Sequence, residues 1–298
     1  MITVFGGTGF LGRAVVRCLV RAGETVRVAA RRPSRAAFAA FGDRIERVSA
    51  DVRDDDAVAQ ALSGADAAVN AVSLYVERGE LSFDAIHVDG AARVARAAAA
   101  AGVGALAHVS GIGADPRSTS RYVAARGRGE SAVREAFPNA TILRPSVLFG
   151  RDDAFLATLD AVTRLPVLPL FGRGSTRLQP VHVEDVAAAV GAAIERHSAS
   201  AGRVFELGGA EVYTYREIVA MVLRHRRRCR ALMPVPFSLW HAAAGVAGLL
   251  PNPPITRDQV ILMSRDNVVS AGAESFASLD IEPASLAALL PTCLNGGG

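Results

Sequence analysis

One short segment, RYVAARGRGE from Arg121 to Glu130, places two residues with proton-transfer chemistry four positions apart. Tyr122 carries a phenol that can give or accept a proton, and Arg126 carries a permanent positive charge. On a helix this spacing puts both side chains on one face. The cation would favour a tyrosinate electrostatically, although a guanidinium does not relay a proton readily because it stays charged. The segment therefore predicts a Tyr122–Arg126 pair at a catalytic or cofactor-holding site.

A glycine-rich segment, VFGGTGFLGRAVV, opens the chain. Gly6, Gly9 and Gly12 lie between a predicted strand and a predicted helix, at the spacing of a dinucleotide-binding turn. Gly6 permits the tight turn, Gly9 allows the backbone to approach a pyrophosphate, and Gly12 allows the helix and the strand to pack closely. The free N–H groups of the helix N-terminus would then face the anion. The residues predicted to hold the cofactor here are Gly6, Gly7, Thr8, Gly9, Phe10, Leu11 and Gly12.

The end of the second predicted strand, VRVAARRP, indicates which dinucleotide is preferred. An acidic residue at this place would bind the ribose 2′-hydroxyl of NAD, whereas Arg31 and Arg32 suit a 2′-phosphate. The sequence therefore predicts NADP(H) in preference to NAD(H). The alternative is that both arginines are solvated charges at the end of a strand.

Other strand ends supply further candidate cofactor contacts. Asp51 and Val52 follow the third strand and are expected to border the adenine, although Asp51 could instead cap the next helix. Ala71 and Val72 follow the fourth strand, where a cofactor passes in this architecture. Pro145, in LRPSVLFG, is expected beside the nicotinamide.

Short β-branched segments alternate with alanine-rich helical segments through the first half of the chain. This alternation predicts βαβ units and an α/β fold, a Rossmann-type doubly wound parallel sheet with a smaller C-terminal lobe. We assign residues 1–148 and 176–209 to the NAD(P)-binding domain. Residues 149–175 and 210–298 form the smaller substrate or partner lobe, and residues 295–298 are expected to be a frayed tail. The strands are predicted at Ile2–Phe5, Thr25–Ala30, Arg44–Ser49, Ala67–Ala71, Ala105–Ser110 and Thr141–Leu143, and the main helices at Leu11–Ala22, Asp54–Leu62, Phe83–Ala101 and Tyr122–Ala136.

Composition limits the classes of function. The 298 residues carry a formal net charge of +4, which is too mild to indicate nucleic acid. All 33 basic residues are arginine, so no step that requires a lysine can occur. Three widely spaced cysteines and six unclustered histidines predict neither a metal site nor a disulfide framework. The N-terminus lacks the pattern of a signal peptide, so a cytoplasmic location is expected, with attachment to the inner face of the membrane as a further option.

A basic segment followed by an apolar one, RHRRRCRALMPVPFSLWHAAAGVAGLL, contains Trp240. Such a pairing can dock on an anionic membrane surface. The alternative, which we favour, is a solvated helix end followed by a strand and a packed helix.

Taken together, these segments resemble the extended and atypical short-chain dehydrogenases/reductases. HVSGIGAD, RYVAARGRGE, LFGRGSTRLQPVHVEDVA and ITRDQVILMSRDNVVS are similar to one branch, the nucleotide-binding accessory subunit of respiratory complex I and its bacterial relatives. The resemblance implies a Rossmann domain that holds NADPH tightly, a peripheral position near the ubiquinone-reducing region, and no established turnover. It makes a membrane respiratory complex a candidate partner, while the oligomeric state stays open.

The same resemblance defines a catalytic triad to compare. Active relatives use a tyrosine, a lysine four residues later, and a serine or threonine after the fifth strand. Tyr122 is present, Arg126 takes the place of the lysine, and Gly111 aligns with the hydroxyl residue. Ser110 precedes Gly111 and would take the hydroxyl role if the alignment shifted by one residue. His182 and Asp185 are weaker candidates for a substrate cleft, with packing and a helix start as the alternative.

Three functions remain open from the sequence. The first is a cofactor-holding accessory protein of a quinone-linked, complex I-like membrane assembly. The second is an active NADP(H)-dependent reductase or epimerase on a small carbonyl or nucleotide-sugar substrate, and the third is an NADPH-sensing regulator. The departures at Gly111 and Arg126 favour the first over the second.

Overall fold

The computed structural model describes residues 1–33, 36–250, 253 and 255–294. The predicted tail at 295–298 lies outside the described residues. The chain divides into two compact units. Unit 1 comprises Met1–Pro145, Val183–Leu207 and Gly272–Ile281, and unit 2 comprises Ser146–His182, Gly208–Ala271 and Glu282–Gly298.

Unit 1 is built on a seven-stranded sheet whose pairings are all parallel. The strand order is β11-β6-β5-β4-β1-β2-β3. From β1 the chain adds β2 and β3 on one side, and then crosses to the other side and adds β4, β5, β6 and β11 in turn. This order confirms the predicted doubly wound α/β fold. The strands are β1 Ile2–Phe5, β2 Val26–Ala30, β3 Ile45–Ser49, β4 Ala67–Asn70, β5 Ala105–Val109, β6 Thr141–Pro145 and β11 Val204–Leu207.

Helices cover both faces of this sheet because its central strands are buried on both sides. Their apolar residues recur at helical spacing, as in α1, where Leu11, Val15 and Leu19 are buried. The helices of unit 1 are α1 Phe10–Arg21, α2 Asp55–Leu62, α3 Ala91–Ala100, α4 Arg121–Ala136, α6 Val183–Glu195 and α7 His197–Ser200, with 3₁₀ turns at Ala36–Arg44 and Phe276–Leu279.

The predicted helix Phe83–Ala101 is divided by the structure into a π-helix, Asp84–Gly90, and α3. This segment packs against α4 so closely that a side chain at Gly129 would overlap the carbonyl oxygen of His87. Gly129 therefore sets the separation of the two helices, and through it the position of Tyr122 and Arg126 on α4.

Unit 2 contains three two-stranded ladders around a small apolar core. β7 pairs with β10, β9 with β12, and β8 with β13. A capping box begins the helix after Thr214, because the Thr214 hydroxyl accepts from the Glu217 backbone N–H while the Glu217 carboxylate accepts from the Thr214 backbone N–H. The elements are β7 Leu148–Phe149, α5 Ala154–Val162, β8 Val167–Phe171, β9 Arg177–Leu178, β10 Val181–His182, β12 Tyr213–Thr214, α8 Tyr215–His225, β13 Ala231–Val235, α9 Phe237–Ala247, α10 Arg257–Met263 and α11 Leu286–Leu294.

Two longer segments, and the boundary residues 146–148 and 208–209, fall in a different unit from the one we assigned. Residues 176–182 belong to unit 2, because β9 and β10 pair with its strands β12 and β7. Residues 272–281 belong to unit 1, because Glu274 accepts a backbone hydrogen bond from Glu206 on β11 and pairs with Arg203. Backbone pairing across such sequence distances leaves little local signal, which is why the observed division differs from the predicted one there.

Two arginines of the basic segment before β13 bind an acidic side chain of the same unit. Arg226 and Arg228 both bind the carboxylate of Asp160, at 2.8 Å from Nε and Nη1 respectively to Oδ1. Trp240 stacks on Phe171 with ring centroids 4.5 Å apart, and its Nε1 donates to the Leu170 carbonyl at 3.1 Å. A strand and a helix, Ala231–Val235 and Phe237–Ala247, follow the basic segment as in the alternative that we favoured, but the helix is not packed in a core, because Ala244 is its only buried residue. Among the described residues, no helix combines the length and the apolar character needed to span a bilayer.

Two buried histidines in unit 1 link its stability to pH. Burial, followed by the charge of Arg126, lowers the pKa of His108 to about 3. The same two causes lower the pKa of His87 to about 3, against a hydrogen bond from the imidazole ring to the Leu74 carbonyl oxygen that favours protonation. Each folded-state pKa lies below the unfolded value, so the unfolded chain binds more protons than the folded chain. The stabilisation is present above pH 6.5 and is lost as the pH falls from there towards 3.

We predict that the free energy of unfolding falls between pH 7.5 and pH 5, by up to about 2 kcal/mol for each of the two histidines. The substitution His108→Asn removes one titrating group and should flatten the curve of unfolding free energy against pH, whatever its effect at pH 7.5. His197→Asn, which alters an exposed histidine on α7, is the control and should run parallel to the wild type. Parallel curves for His108→Asn would contradict the assignment.

Candidate functional site

The β1–α1 turn forms the first part of the site. Gly6 has a φ of +73°, and a Cβ there would lie 3.0 Å from the backbone of Ala71 and Val72 at the end of β4. A side chain at Gly12 would overlap the Gly6 carbonyl oxygen. Gly9 donates its N–H to that oxygen at 2.9 Å and precedes α1. The two close approaches allow only glycine at residues 6 and 12, for the reasons predicted from the spacing.

The N-terminus of α1 is suited to an anion. Gly9 provides no side-chain cap, and the first turn contains no acidic residue, so the N–H groups there meet no protein carboxylate. Thr8 and Phe10 are half-buried, and Gly7 and Leu11 are buried. The turn therefore fits the pyrophosphate of a dinucleotide by its chemistry and by its lack of side-chain bulk.

Arg31 and Arg32 follow β2 directly and are both exposed. Within the described residues neither arginine takes part in an ion pair, although Arg31 lies near enough to Asp51 to lower its pKa. A hydrogen bond from the Ser49 hydroxyl reaches the Arg31 carbonyl at 3.3 Å. Both guanidinium groups are thus available at the strand end where the sequence places them.

Asp51 is held by its own neighbour. Arg53 donates from Nη2 to Oδ2 at 2.8 Å and from Nε to Oδ1 at 3.1 Å, and its backbone N–H also reaches Oδ1. The Arg53 side chain is the main cause that keeps the pKa of Asp51 below its usual value. Asp54, not Asp51, caps α2, so the capping alternative for Asp51 is wrong. Val52 is buried and would contact any side chain at Gly90.

Tyr122 and Arg126 lie together on α4, as the spacing predicts. Both are buried, with 9% and 8% of their surfaces exposed, and the guanidinium carbon lies 4.9 Å from the centre of the tyrosine ring. Burial raises the pKa of the Tyr122 phenol far above its usual value, and the charge of Arg126 offsets this only in part. Tyr122 is therefore a neutral phenol at physiological pH, which can donate a proton but is a poor base.

The surroundings of Arg126 include residues that sequence reasoning missed. Its Nη2 donates to the hydroxyl of Ser73, three residues beyond β4, at 2.8 Å. Tyr75 stacks on Tyr122 with centroids 5.7 Å apart, and His87 meets the same ring edge-on at 5.6 Å. Both oxygens of Glu130, on the same helix, bind Arg144, and the charge of Glu130 is the smallest of the causes that act on the pKa of Arg126. Ser73 could have been found from the sequence, because a serine just past the carboxyl end of a predicted parallel strand is a candidate site residue.

Three buried polar atoms at this end of the sheet have no hydrogen-bond partner among the described residues: Nε and Nη1 of Arg126 and Oγ of Ser110. Ser110 follows β5, and its backbone N–H donates to the Leu143 carbonyl at 2.7 Å. Gly111 comes next, and a Cβ built there would lie 3.6 Å from Arg126 Nη1 and 3.8 Å from the carbonyl oxygen of Pro145. Buried donors and acceptors are rarely left unpaired, so this place fits a ligand that carries polar atoms.

Two further candidates stand on different elements. Asp185 stands in the first turn of α6 in unit 1, and His182 ends β10 in unit 2, where its ring lies 5.2 Å from that of Phe149. These are the helix-start and packing roles that we gave as alternatives. Pro145 ends β6, and its carbonyl accepts from the Ile112 N–H at 3.1 Å.

Comparisons with known proteins agree with the fold and the glycine turn. The model of the NAD dependent epimerase/dehydratase family matches residues 2–208. Subunit 9 of the NADH dehydrogenase [ubiquinone] 1 alpha subcomplex of Arabidopsis thaliana is 34% identical over 299 residues, covering 95% of this chain and 74% of the relative. A ceramide reductase of Caulobacter vibrioides is 36% identical over 190 residues, covering 63% of this chain and 59% of that protein.

Among solved structures, the NADPH-dependent quinone oxidoreductase QOR2 of Escherichia coli, in complex with NADPH, superposes with a TM-score of 0.78. It is 21% identical and covers 99% of this chain and 100% of that one. The chain belongs to the NAD-dependent epimerase/dehydratase family of extended short-chain dehydrogenases/reductases, in the branch that includes the subunit 9 proteins of respiratory complex I.

Proposed function

We propose that unit 1 holds NADP(H) as a tightly bound cofactor with little or no turnover, and that the protein is an accessory component of a quinone-linked, complex I-like membrane assembly. The observation that supports this best is the contrast within one site. The glycine turn, which would hold the cofactor, keeps every feature of its pattern. Two of the three positions that would turn the cofactor over depart from the active pattern, at Gly111 and Arg126.

The residues of the candidate site suit cofactor binding but do not favour rapid hydride transfer. The β1–α1 turn would hold the pyrophosphate, Arg31 and Arg32 the 2′-phosphate, and Tyr122 and Arg126 the nicotinamide end. The bound dinucleotide would supply hydride. Tyr122 lacks the neighbouring lysine ammonium of active relatives, and its raised pKa limits it to donating a proton. Gly111 has no hydroxyl to polarise a substrate oxygen, and general acid–base assistance is typically worth about two to four orders of magnitude in rate.

We expect the protein, purified without added cofactor and then denatured, to release NADP(H) in near-stoichiometric amount. The absorbance of bound NADPH should stay constant when the native protein is offered a panel of carbonyls and quinones. Rapid oxidation of the bound NADPH by one acceptor would mean that the protein is an enzyme and would contradict the holding function. Absence of any nucleotide, together with no binding in a titration, would end the cofactor proposal itself.

The preference for NADP(H) can be tested at the end of β2. The double substitution Arg31→Ser/Arg32→Ser should weaken NADPH binding at least tenfold, because a charge-assisted hydrogen bond contributes about 1.5–3 kcal/mol. The affinity for NADH should change little. The control, Arg96→Ser/Arg224→Ser, removes two exposed arginines elsewhere and keeps the net charge equal. Equal losses for NADPH and NADH would mean that the two arginines do not bind the 2′-phosphate.

The proposed partner is a membrane-bound protein assembly, by similarity to the complex I subunits named above. Unit 2 presents a group of exposed apolar side chains on and just after α9, which we call the α9 patch: Leu239, Val246, Leu249 and Leu250, with 59%, 71%, 86% and 55% of their surfaces exposed. Clusters of exposed apolar residues of this kind commonly mark interaction sites. Arg226 and Arg228 are bound to Asp160, which weakens the case for a purely anionic lipid surface.

We expect Leu239→Ser/Leu249→Ser to reduce the fraction of the protein that is recovered with washed membranes of the organism that carries it. Val212→Ser, which alters an exposed apolar residue outside the α9 patch, is the control. Retention on protein-free anionic vesicles equal to that on the membranes would indicate lipid as the partner instead. Unchanged recovery of the double variant would rule out the α9 patch.

A reductase acting on a carbonyl group is the second candidate. The neutral phenol of Tyr122 can protonate an oxygen as hydride arrives at the adjacent carbon, which is the direction of carbonyl reduction. The similarity to a protein named ceramide reductase points the same way. The acceptor panel described above separates this candidate from the holding function.

A further inference from the structure

The loop between β4 and the π-helix passes over the ring of Tyr122. We call residues 75–80 of this loop the strap. Tyr75, the first residue of the strap, stacks on Tyr122 with ring centroids 5.7 Å apart and the two planes at 29°. Tyr122 is 9% exposed, whereas Tyr75 is 62% exposed. Tyr75 is thus an outer aromatic layer that covers the ring of Tyr122.

Tyr75 also lies near the polar end of Tyr122. Burial is the main cause that raises the pKa of the Tyr122 phenol, and the neighbouring Tyr75 phenol raises it further. The charge of Arg126, together with hydrogen bonds that involve Arg126 and Ser73, offsets this rise only in part. An oxygen atom that receives a proton from Tyr122 has to come within hydrogen-bond distance of the phenol. Tyr75 therefore lies at the end of Tyr122 that a substrate would have to reach.

The strap is a surface loop whose two ends are fixed in unit 1. Leu74 and Leu81, which flank it, pack against the apolar core. The backbone N–H and carbonyl oxygen of Leu74 lie 3.3 Å and 2.9 Å from Nε2 of His87. Residues 75–80 are all exposed or half-buried. Loops with few buried contacts open locally at low free energy, so the strap can move while its ends stay in place.

One ion pair attaches the middle of the strap to the start of α4. Oε2 of Glu77 lies 2.9 Å from Nη1 of Arg121, and Oε1 accepts from Nη2 of Arg121 at 3.2 Å. The same Oε1 accepts from the backbone N–H of Phe83 at 2.9 Å. Two parallel bonds between a guanidinium and a carboxylate fix the direction of the contact as well as its length. Arg121 directly precedes Tyr122, so this pair holds the strap against the helical turn that carries the phenol.

We propose that the strap is a cover that opens and closes over Tyr122, in which Tyr75 covers the phenol and the Glu77–Arg121 pair is the latch that keeps the cover closed. The latch can open readily, because 71% of the Arg121 side chain and 26% of the Glu77 side chain are exposed, and exposed ion pairs are weak. The closed strap withholds the phenol from substrates. This deepens the proposed function, on which it rests for the place of Tyr122 at the nicotinamide end, because a closed strap allows a cofactor to be held without turnover.

The test measures how fast the phenol oxygen of Tyr122 is acetylated by N-acetylimidazole in the full chain. The sequence contains no lysine, so side-chain amines do not compete for the reagent. Trypsin releases Tyr122 as the only tyrosine of peptide 122–126, and Tyr75 as the only tyrosine of peptide 54–78. Initial rates are read by mass spectrometry against N-acetyltyrosinamide added to the same tube. We expect Tyr122 to react at least about tenfold more slowly than Tyr75, because it reacts only while the strap is open.

The latch is tested with single and double variants. Arg121→Gln and Glu77→Gln should each raise the rate at Tyr122 by about two- to fivefold, the range expected for the loss of an exposed ion pair. The double variant should react no faster than the faster single variant, because both changes remove the same interaction. Arg117→Gln is the matched control, since it removes the same charge from the exposed loop before α4, and it should match the wild type. Arg121→Gln moves the tryptic cut, and Tyr122 is then read in peptide 118–126.

The cover itself is tested at Tyr75. Tyr75→Leu removes the stacked ring and should raise the rate at Tyr122 by about two- to tenfold, in line with the strength of an aromatic pair. Tyr75→Phe keeps the ring and should match the wild type. A general loosening of unit 1 would instead raise the rate in Arg117→Gln and Tyr75→Phe as well, and that result would overturn the proposal.

Further outcomes separate the strap from the cofactor proposal. Equal rates at Tyr122 and Tyr75 in the wild type would overturn the strap, whatever nucleotide the protein releases on denaturation. Unchanged rates in Arg121→Gln and Glu77→Gln would overturn the latch. A slow Tyr122 that becomes faster in both latch variants, in a protein that neither releases nor binds NADP(H), would support the strap while the proposed function failed.

Discussion

The close approach of Gly6 to the backbone of Ala71 and Val72 is the constraint on which the rest of unit 1 depends. This contact fixes the spacing between the end of β1 and the end of β4, and the Gly12–Gly6 contact fixes where α1 begins. Arg31, Asp51, Ser73 and Ser110 each follow a strand of the same parallel sheet, whereas Tyr122 and Arg126 lie on α4. Because the strands share one direction, their carboxyl ends meet at one edge, and the side chains that follow them are brought together.

Arg126 is the second organising feature, and it follows from composition. A chain whose basic residues are all arginine cannot place a lysine after Tyr122. A lysine ammonium is a compact point charge on a flexible stem, whereas a guanidinium is a wide, planar fork with five donors. The fork needs lateral space and a partner to hold it. Gly111 leaves that space, and Ser73 provides the partner.

The periodic parts of the molecule could be predicted from sequence. The six predicted strands of the first half lie within two residues of those observed, because alternating buried runs and glycine-bounded turns are local signals. The same holds for the Tyr122–Arg126 pair, which depends only on helical spacing. The π-helix at Asp84–Gly90 was missed because it arises from packing against Gly129, more than forty positions away in the chain.

The sequence predicted several residues of the candidate site but few of the contacts between them. Asp51 was predicted to border an adenine, and its carboxylate also binds Arg53 two residues later, a pairing that neither residue type alone reveals. Ser73, Tyr75 and His87 surround Tyr122 and Arg126, yet they come from a loop and a helix with no motif of their own. Such neighbours depend on where the chain turns after β4, which spacing does not determine.

The two departures from the active pattern, at Gly111 and Arg126, affect the same small region of the site. Counted separately, the loss of the lysine and the loss of the hydroxyl would each remove a catalytic contribution, and their product would leave almost no activity. In the structure, however, the replacing guanidinium lies against the position of the missing hydroxyl, and its free Nη1 faces that position. A hydroxyl at residue 111 would compete with any ligand for the same donor. Glycine at 111 and arginine at 126 are therefore mutually compatible, because the guanidinium lies against the space that a side chain at residue 111 would enter.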